Sequence, residues 1–596
     1  MILFFKQKIE KVKQINSERG TKGLIDFIKN SIKSKFKNEV SYQEWIADKH
    51  LRKIDIAYHK QEISKWKLKP RFSIIMPVYN VEAQWLEKAI KSVINQIYPY
   101  WELCIADDAS PSPHIREILT RYSQLDERIK VVFRTENANI SAASNSALEI
   151  ATGDYIALLD NDDELAINAL FENAKLINQH PEADFIYSDE DKIDIKGKRS
   201  DPFFKPDWSP EYFHSCMYTC HLGVYRTNII KEIGGFRSEY DGSQDYDLVL
   251  RVVEKTQNIH HIPKILYHWR IIPSSVTSGE EAKPWAYIAA QRALEDMLSR
   301  SSYPGYVEKT ERAGFWQVRR NIQGQPLISI IIPSAAKTID TPDGDLCLLE
   351  NCIHSIETIS NYRNFEIIVV DGYDIPENIL KNIAAENINL VRCGNQFNFS
   401  ERINLGVTQA KGEYLVLLND DTEVITPNWL EQMLELSQQK EIAAVGAKLL
   451  FPNGKIQHAG VTILNGNPGH VFYGCEKDHP GYFCSNIVTR NYLGVTGACL
   501  MMRKQVFEEL GGMDEDFPLN YNDVDLCLKA HQAGYRNVVI PSVELIHYES
   551  VSRGEGLKPG EWEKLNNKWK NYLQGLNYDP YYNPNLSKEN SNFELK

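Results

Sequence analysis

Arg71-Phe-Ser-Ile-Ile-Met-Pro77 and Leu327-Ile-Ser-Ile-Ile-Ile-Pro333 are one short apolar run, stopped by proline, written twice in the same chain. A continuous apolar run of this length reads as a strand buried on both faces, as parallel strands are, and the proline ends it at a loop. Each run is followed by a helix-like stretch and by a second strand that ends in acid. These strands are Leu103-Cys-Ile-Ala-Asp107-Asp108 and Ile367-Ile-Val-Val-Asp371. Further on, Gly153-Asp-Tyr-Ile-Ala-Leu-Leu-Asp160-Asn161-Asp162-Asp163 matches Gly412-Glu-Tyr-Leu-Val-Leu-Leu-Asn419-Asp420-Asp421. Ile233-Gly-Gly-Phe236 precedes Asp245-Tyr-Asp247, and Leu510-Gly-Gly-Met513 precedes Asp523-Val-Asp525.

The spacing repeats with the order. Pro77 to Asp160 is 83 residues and Pro333 to Asn419 is 86, while Asp245 to His268 is 23 and Asp523 to His547 is 24. The chain therefore carries a tandem duplication. Strands alternating with helical stretches predict an α/β fold with two consecutive, mainly parallel sheets, whose ligands sit at the carboxyl ends of the strands. The expected domains are 69–310 and 326–575, joined near the turn-rich 301–326. Residues 1–68 read as a separate helical segment. Residues 576–596, rich in Pro and Asn, read as an irregular tail draped over the second domain.

At 596 residues the chain exceeds what one core supports, and 43% hydrophobic with 25% charged residues suits globular domains. The net charge of −13 argues against a general nucleic-acid binder. Residues 1–70 nevertheless hold 17 Lys/Arg against 8 Asp/Glu, a local charge of +9. That charge suits an anionic inner membrane leaflet or, equally, a solvated helical face. No run reaches the roughly 18–20 apolar residues of a membrane span, and Met1-Ile2-Leu3-Phe4-Phe5 is too short for a signal-peptide core. The expected location is the cytoplasm, and the ten cysteines, which lack metal-ligand spacing, are expected to be reduced thiols.

The acids at the strand ends carry the chemistry. Asp160-Asn161-Asp162 closes an otherwise apolar strand, so it is either a solvated turn or a seat for a hard divalent cation, which takes carboxylate oxygens and completes its shell with phosphate and water. Acids reconcile with a nucleotide diphosphate only through such a cation, so Mg²⁺ or Mn²⁺ is expected in each competent site. Asp107 and Asp108 can accept hydrogen bonds from a base or ribose, or make a turn with Ser110. Asp245 and Asp523 each open an amphipathic helix, either as N-caps or as general bases that deprotonate an acceptor hydroxyl. His268 and His547, at matched offsets from those acids, are core histidines or ligands of the metal or the phosphates.

The ordered set Pro77-Val-Tyr79-Asn80, Asp107-Asp108, Asn145, Asp160-Asn-Asp162-Asp163 and Asp245-Tyr-Asp-Leu resembles glycosyltransferase family 2 with the GT-A fold, over about 70–275 and again over 326–555. The resemblance implies inverting transfer from a nucleotide-diphosphate sugar. Pro77, Tyr79, Asn80, Asp107, Asp108, Asn145 and Asp160 would hold the donor in copy one, and Pro333, Asp371, Asn419 and Asp420 in copy two. It implies Asp162, His268, Asp421 and His547 at the metal, and Asp245 and Asp523 as bases. Narrower likeness to bacterial surface-polysaccharide transferases puts Asp189, Glu190, Trp208 and Arg503 along the acceptor groove, the acceptor being a glycan or lipid-linked glycan. Copy two departs from the pattern: Ser334-Ala335-Ala336 replaces Val78-Tyr79-Asn80, and Asn419 replaces an acid. It is thus a second activity or a non-catalytic carbohydrate-binding or scaffolding module. A pyrophosphorylase is disfavoured because no glycine-rich basic loop follows the first strand, and a processive synthase because no spans exist to thread a polymer.

Overall fold

A computed structural model describes residues 42–49, 52–272, 284–342, 344–394, 397–548 and 560–596. The first apolar run is strand β1 (Phe72–Val78), paired in parallel with β2 (Trp101–Asp107) and β4 (Tyr155–Leu158). Its side chains alternate between two cores. Phe72, Ile74, Met76 and Val78 enter one hydrophobic cluster and Ile75 another, so both faces of the sheet are covered by helices. That is why the run reads as continuously apolar rather than alternating.

The remaining strands are β3 (Ile129–Phe133), β5 (Glu164–Leu165), β6 (Phe185–Ile193), β7 (Arg199–Phe203), β8 (Gly223–Arg226) and β9 (Ile259–Arg270). The sheet order is β3-β2-β1-β4-β8-β6-β9-β5, with β7 on β6. Strands β3 to β4 are parallel, β8 runs against them, and β6 and β9 are parallel to each other. The chain steps from β1 outward to β3 and returns to β4 on the other side of β1. This reversal opens a crevice at the carboxyl ends of β1 and β4, where open α/β sheets bind ligands.

The second sheet repeats the plan: Ile388–Arg392, Phe365–Asp371, Ile328–Ser334, Tyr414–Leu418, Cys499–Arg503, Ile442–Leu450, Arg536–His547 and Thr422–Val424 lie in the same order. The registers agree as well. Phe72 faces Trp101 and Tyr155, and Ile328 faces Phe365 and Tyr414. Among the described residues no helix is long and apolar enough to cross a membrane, and the cysteines are free.

Three expectations about the chain's organisation change. Residues 1–41 lie outside the described residues, but the helix Lys53–Lys65 is not separate: His59 and Trp66 stack on Phe171 of the first domain. The turn-rich boundary encloses a hairpin, Gly305–Lys309 with Trp316–Arg320. Its Gln317 and Arg319 bond Gln432, Ser542 and Glu435 of the second domain. The C-terminal tail does not rest on the second domain alone, since Asp207 of the first domain donates its N–H to the Pro580 carbonyl at 2.7 Å.

A buried ion pair also joins the domains. Glu211 accepts from Arg536 Nη2 at 2.8 Å and from Asn491 Nδ2 at 2.5 Å. Burial alone would raise its pKa, but the Arg536 guanidinium outweighs burial and lowers it from 4.5 to about 2. Breaking such a pair strands the partner charge, so Glu211→Ala is expected to cost roughly 3–5 kcal/mol in denaturant titrations at pH 7. A depressed carboxyl stabilises the fold above its ordinary pKa and loses that contribution as the pH falls towards its folded value. The stability gap between parent and variant should therefore narrow between pH 4.5 and about 2.

Candidate active site

Pro77 near the end of β1, Asp160 after β4, His221 from the approach to β8, Tyr225 within β8, and Asp245 from the helix Gln244–Val253 line one cleft at the carboxyl ends of β1 and β4. The acid loop hangs between β4 and β5. Asn161 Nδ2 donates to the Pro77 carbonyl at 2.8 Å, which ties the loop to β1. Asp163 is fully buried, and its oxygens accept from Tyr267 Oη and the Arg270 backbone N–H, both at 2.6 Å. Asp160 keeps 48% of its side chain exposed in the cleft.

Oxygens of Asp160 and Asp163 and a ring nitrogen of His221 lie within 4.8 Å of one another. Burial, then the Asp160 charge, pushes Asp162 up to about 6, and burial with both neighbouring acids holds Asp163 well above the usual carboxylate range. Acids crowded until they resist ionisation, beside an imidazole, suit a hard divalent cation. The side chains brought together in copy one are Asp160, Asp163 and His221, while Asp162, the expected ligand, is not among the residues that line the cleft.

His221 is the residue that sequence reasoning missed. It sits alone ahead of a four-residue strand, and no spacing pattern marks it. Its ring stacks on Tyr267 at 4.5 Å, and Glu190 Oε2 accepts from its backbone N–H at 2.9 Å and lies 3.3 Å from Nδ1. Burial lowers its pKa, but Glu190 and the nearby acids outweigh burial and raise it to about 9.

The expected pairing of His268 with His547 is corrected by strand register. Glu164 faces His268, whereas its counterpart Glu423 faces Ile546, so His547 occupies the position of Trp269. One residue along a strand reverses the face. His268 accordingly turns to Asp191, 2.6 Å away, and not to the acid loop. In copy two His547 does reach the loop: Nε2 lies 3.0 Å from Asp421 Oδ1 and 3.2 Å from Asn419 Nδ2, and Nδ1 lies 2.8 Å from Gln457 Oε1. The position of His221 is taken by Ala498 there, by the pairing of Tyr155 with Arg226 and of Tyr414 with Arg503. Each copy brings one histidine to its acids, from different strands.

Asp245 does not cap its helix through its side chain; Ser243 is the N-cap residue, and Asp245 Oδ1 accepts from the next N–H, that of Tyr246, at 2.8 Å. Burial raises its pKa, while His221 opposes that shift. Asp247 is structural, held by Arg237 and Arg251. In copy two Asp523 Oδ2 accepts from the Gly497 N–H at 2.8 Å, and Asp525 is held by Trp569 and Lys568.

The other expected residues divide. Tyr79 is 52% exposed beside the cleft, and Asn80 donates its N–H to Ser110 Oγ at 2.9 Å. Asp107 makes the turn contact with the Ser110 N–H at 3.2 Å, and Asp108 pairs with Arg134 at 2.8 Å. In copy two, Pro333 faces Val370 one residue before Ser334 and Asp371 close their strands, Asp371 pairs with Arg392, and Asp420 accepts from Ser334 Oγ at 2.6 Å.

Asn145 is engaged in the scaffold through one N–H and its oxygen. It brackets Phe236, donating to its carbonyl at 2.8 Å and accepting from its N–H at 2.9 Å, and Asn404 does the same to Met513. Asp189 and Glu190 are buried against interior partners, so neither lines an open groove. Trp208 packs on Phe213 at 5.0 Å. Arg503 lies at the opposite end of the sheet, because its strand runs antiparallel, and donates to the carbonyls of Ser437, Gln439 and Lys440.

Comparison with known proteins adds a family. The profile described as "Glycosyl transferase family 2" matches residues 73–234 and 329–511. The chain is 41% identical over 548 residues to an uncharacterized protein of Sinorhizobium fredii, covering 88% of this chain and 58% of the other. It is 34% identical over 552 residues to the O-antigen biosynthesis protein RfbC of Myxococcus xanthus, covering 92% and 42%. It thus spans about half the length of each of these two. A Bacillus subtilis protein, provisionally named teichuronic acid biosynthesis glycosyltransferase TuaG, is 30% identical over 220 residues, which cover 37% of this chain and 85% of that one.

The donor set makes a direct prediction. Mn²⁺ should raise the melting midpoint, by about 2.7 kcal/mol of added stability at a hundredfold excess over Kd. In calorimetric titrations Asp160→Asn and His221→Ala should each weaken Mn²⁺ binding to copy one at least tenfold, to order of magnitude. His268→Ala should stay within about twofold of the parent, and the reverse ranking would return the ligand role to His268.

Proposed function

The chain belongs to glycosyl transferase family 2, and on that premise we propose that both copies transfer sugars from nucleotide-diphosphate donors, with inversion, to a growing surface glycan. The observation that carries this reading is the cleft where the acid loop, a histidine and Asp245 converge on the carboxyl ends of β1 and β4. Pro77, Tyr79 and Asp107 line the donor's nucleotide end. The Asp245 carboxylate takes the proton of an acceptor hydroxyl as that oxygen attacks the anomeric carbon and the bond to the diphosphate breaks. General-base help of this kind contributes about 10²–10⁴ in rate. Asp160 and His221, with Asp162 or Asp163 of the same loop, and in copy two Asp421 and His547, would hold a divalent cation, which would supply positive charge to the departing diphosphate.

Two activities are favoured because copy two rebuilds its acid and histidine cluster with a different histidine (3.0 Å to Asp421). A specific observation supports the second reading, a binding module. Copy two has Asn419 for Asp160, Thr422 for Asp163 and Ala498 for His221, so it has lost charge at every one of these positions. The surface-polysaccharide acceptor is supported by relatives named for O-antigen and teichuronic acid biosynthesis. A lipid-linked acceptor and a membrane-surface role for the basic 1–70 segment belong to the same proposal.

Asp245→Asn preserves size and hydrogen bonding but removes the base. It should lower one transfer about 10²–10⁴-fold and leave the other, and Asp523→Asn should do the converse. Products are read by mass spectrometry after incubation with Mn²⁺ and a panel of nucleotide sugars. A product ladder unchanged by Asp523→Asn would demote copy two to binding.

A further inference from the structure

The C-terminal tail follows copy two in the chain but threads into the polar interior of copy one. Asn583 is 2% exposed, and its Nδ2 donates to both Asp189 oxygens (3.1 and 3.0 Å) and to the Lys205 carbonyl at 2.8 Å. Asp189 Oδ1 also accepts from the Lys205 N–H at 2.8 Å and lies 2.9 Å from His261 Nε2. The other nitrogen of His261 is 2.9 Å from Asp207 Oδ1, which accepts from Tyr578 Oη at 3.0 Å. The tail thus grips one buried network at two points, Tyr578 and Asn583.

Lys205 carries that network to the site. Its buried ammonium donates to Glu190 Oε2 at 2.9 Å and to the carbonyls of Ser188, Thr219 and His221, the last at 2.5 Å. Glu190 in turn holds the His221 N–H and faces its ring. Buried charges are costly unless every lone pair and proton is matched, and Asn583 satisfies Asp189 and the Lys205 backbone together. The apolar end of the tail is fastened separately, where Phe593 stacks on Tyr482 at 5.5 Å. Copy two has no such relay: the positions of Asp189 and Glu190 are held there by Lys448 and Leu449.

We propose that tail residues Tyr578 and Asn583 are positioning residues for copy one, fixing the His221 ring through Asp189, Lys205 and Glu190, so that this site is complete only when the tail is docked. The proposal rests on copy one being a cation-assisted transferase. Outer partners of a metal-ligating histidine typically contribute about 10–100-fold in metal affinity or activity.

The test uses the full chain with its second site silenced by Asp421→Asn, titrated with Mn²⁺ by electron paramagnetic resonance and assayed for transfer. Adding Asn583→Ala should weaken Mn²⁺ binding about 10–100-fold and lower transfer by copy one. In a second chain, with copy one silenced by Asp245→Asn, the same change should leave copy-two transfer within twofold of its parent. Unchanged Mn²⁺ binding overturns the proposal, as does a parallel fall in both copies. If Asn583→Ala does not fold, Tyr578→Phe decides, because it removes one hydrogen bond. A one-sided loss of several-fold supports the clasp, and none overturns it. A silenced-second-site parent that neither binds Mn²⁺ nor transfers overturns the functional reading as well, whereas an active parent with indifferent variants overturns the clasp alone.

Discussion

Repulsion among the carboxylates at the end of β4 is the constraint on which the first domain depends. Asp160, Asp162 and Asp163 follow one another closely, two are driven towards their neutral forms, and Asp163 survives burial only because Tyr267 and the Arg270 N–H take both its oxygens. Those two partners come from β9, far away in sequence and joined to the acid loop by the β5 pairing. The short β5 strand, two residues long, therefore matters beyond its length. It pins the acid loop against the strand that satisfies it, and leaves Asp160 as the carboxylate that faces the cleft.

The second domain keeps the scaffold and relaxes the constraint. An amide and a hydroxyl replace two of the acids while Asp420 stands where copy one has Asn161, so the loop loses one acid net, and the histidine now comes from the last strand through a one-residue shift of the kind that reverses a strand's face. Copy two thus reaches a comparable group of side chains with less charge. A lower charge lessens the pull on a cation.

Polar contacts bind the two domains to each other. Glu211 with Arg536, Arg319 with Glu435, and the Asn583 amide with Asp189 are all buried or nearly so. Each is costly if broken on one side, so the relative placement of the domains is specified by matched groups rather than by apolar area alone. Aromatic stacking, such as Phe203 on Phe483 at 3.5 Å, fills the space between them.

The repeat, the α/β class and the seats of the acids were legible in the chain itself, because parallel strands buried on both faces write themselves as unbroken apolar runs and the residues that end them recur in order. Asp160 and Asp245, which line the cleft, lie at positions of that kind, since strand ends and helix starts are local events. What the tertiary structure alone decided were the partners. His221 has no local signature, and its role exists only because Glu190 and the acid loop meet it from other strands. Asn145 looked like a ligand group, but folding turns its oxygen and one N–H to the Phe236 backbone. His268 and His547 matched in order and nearly in spacing, but side-chain direction along a strand changes with every residue, and an offset of one is invisible until the strands are paired. Burial, too, is a property of the assembled fold. Asp189 and Glu190 read as exposed groove acids in the sequence, and the packing of β6 against Lys205 and the returning tail placed them inside.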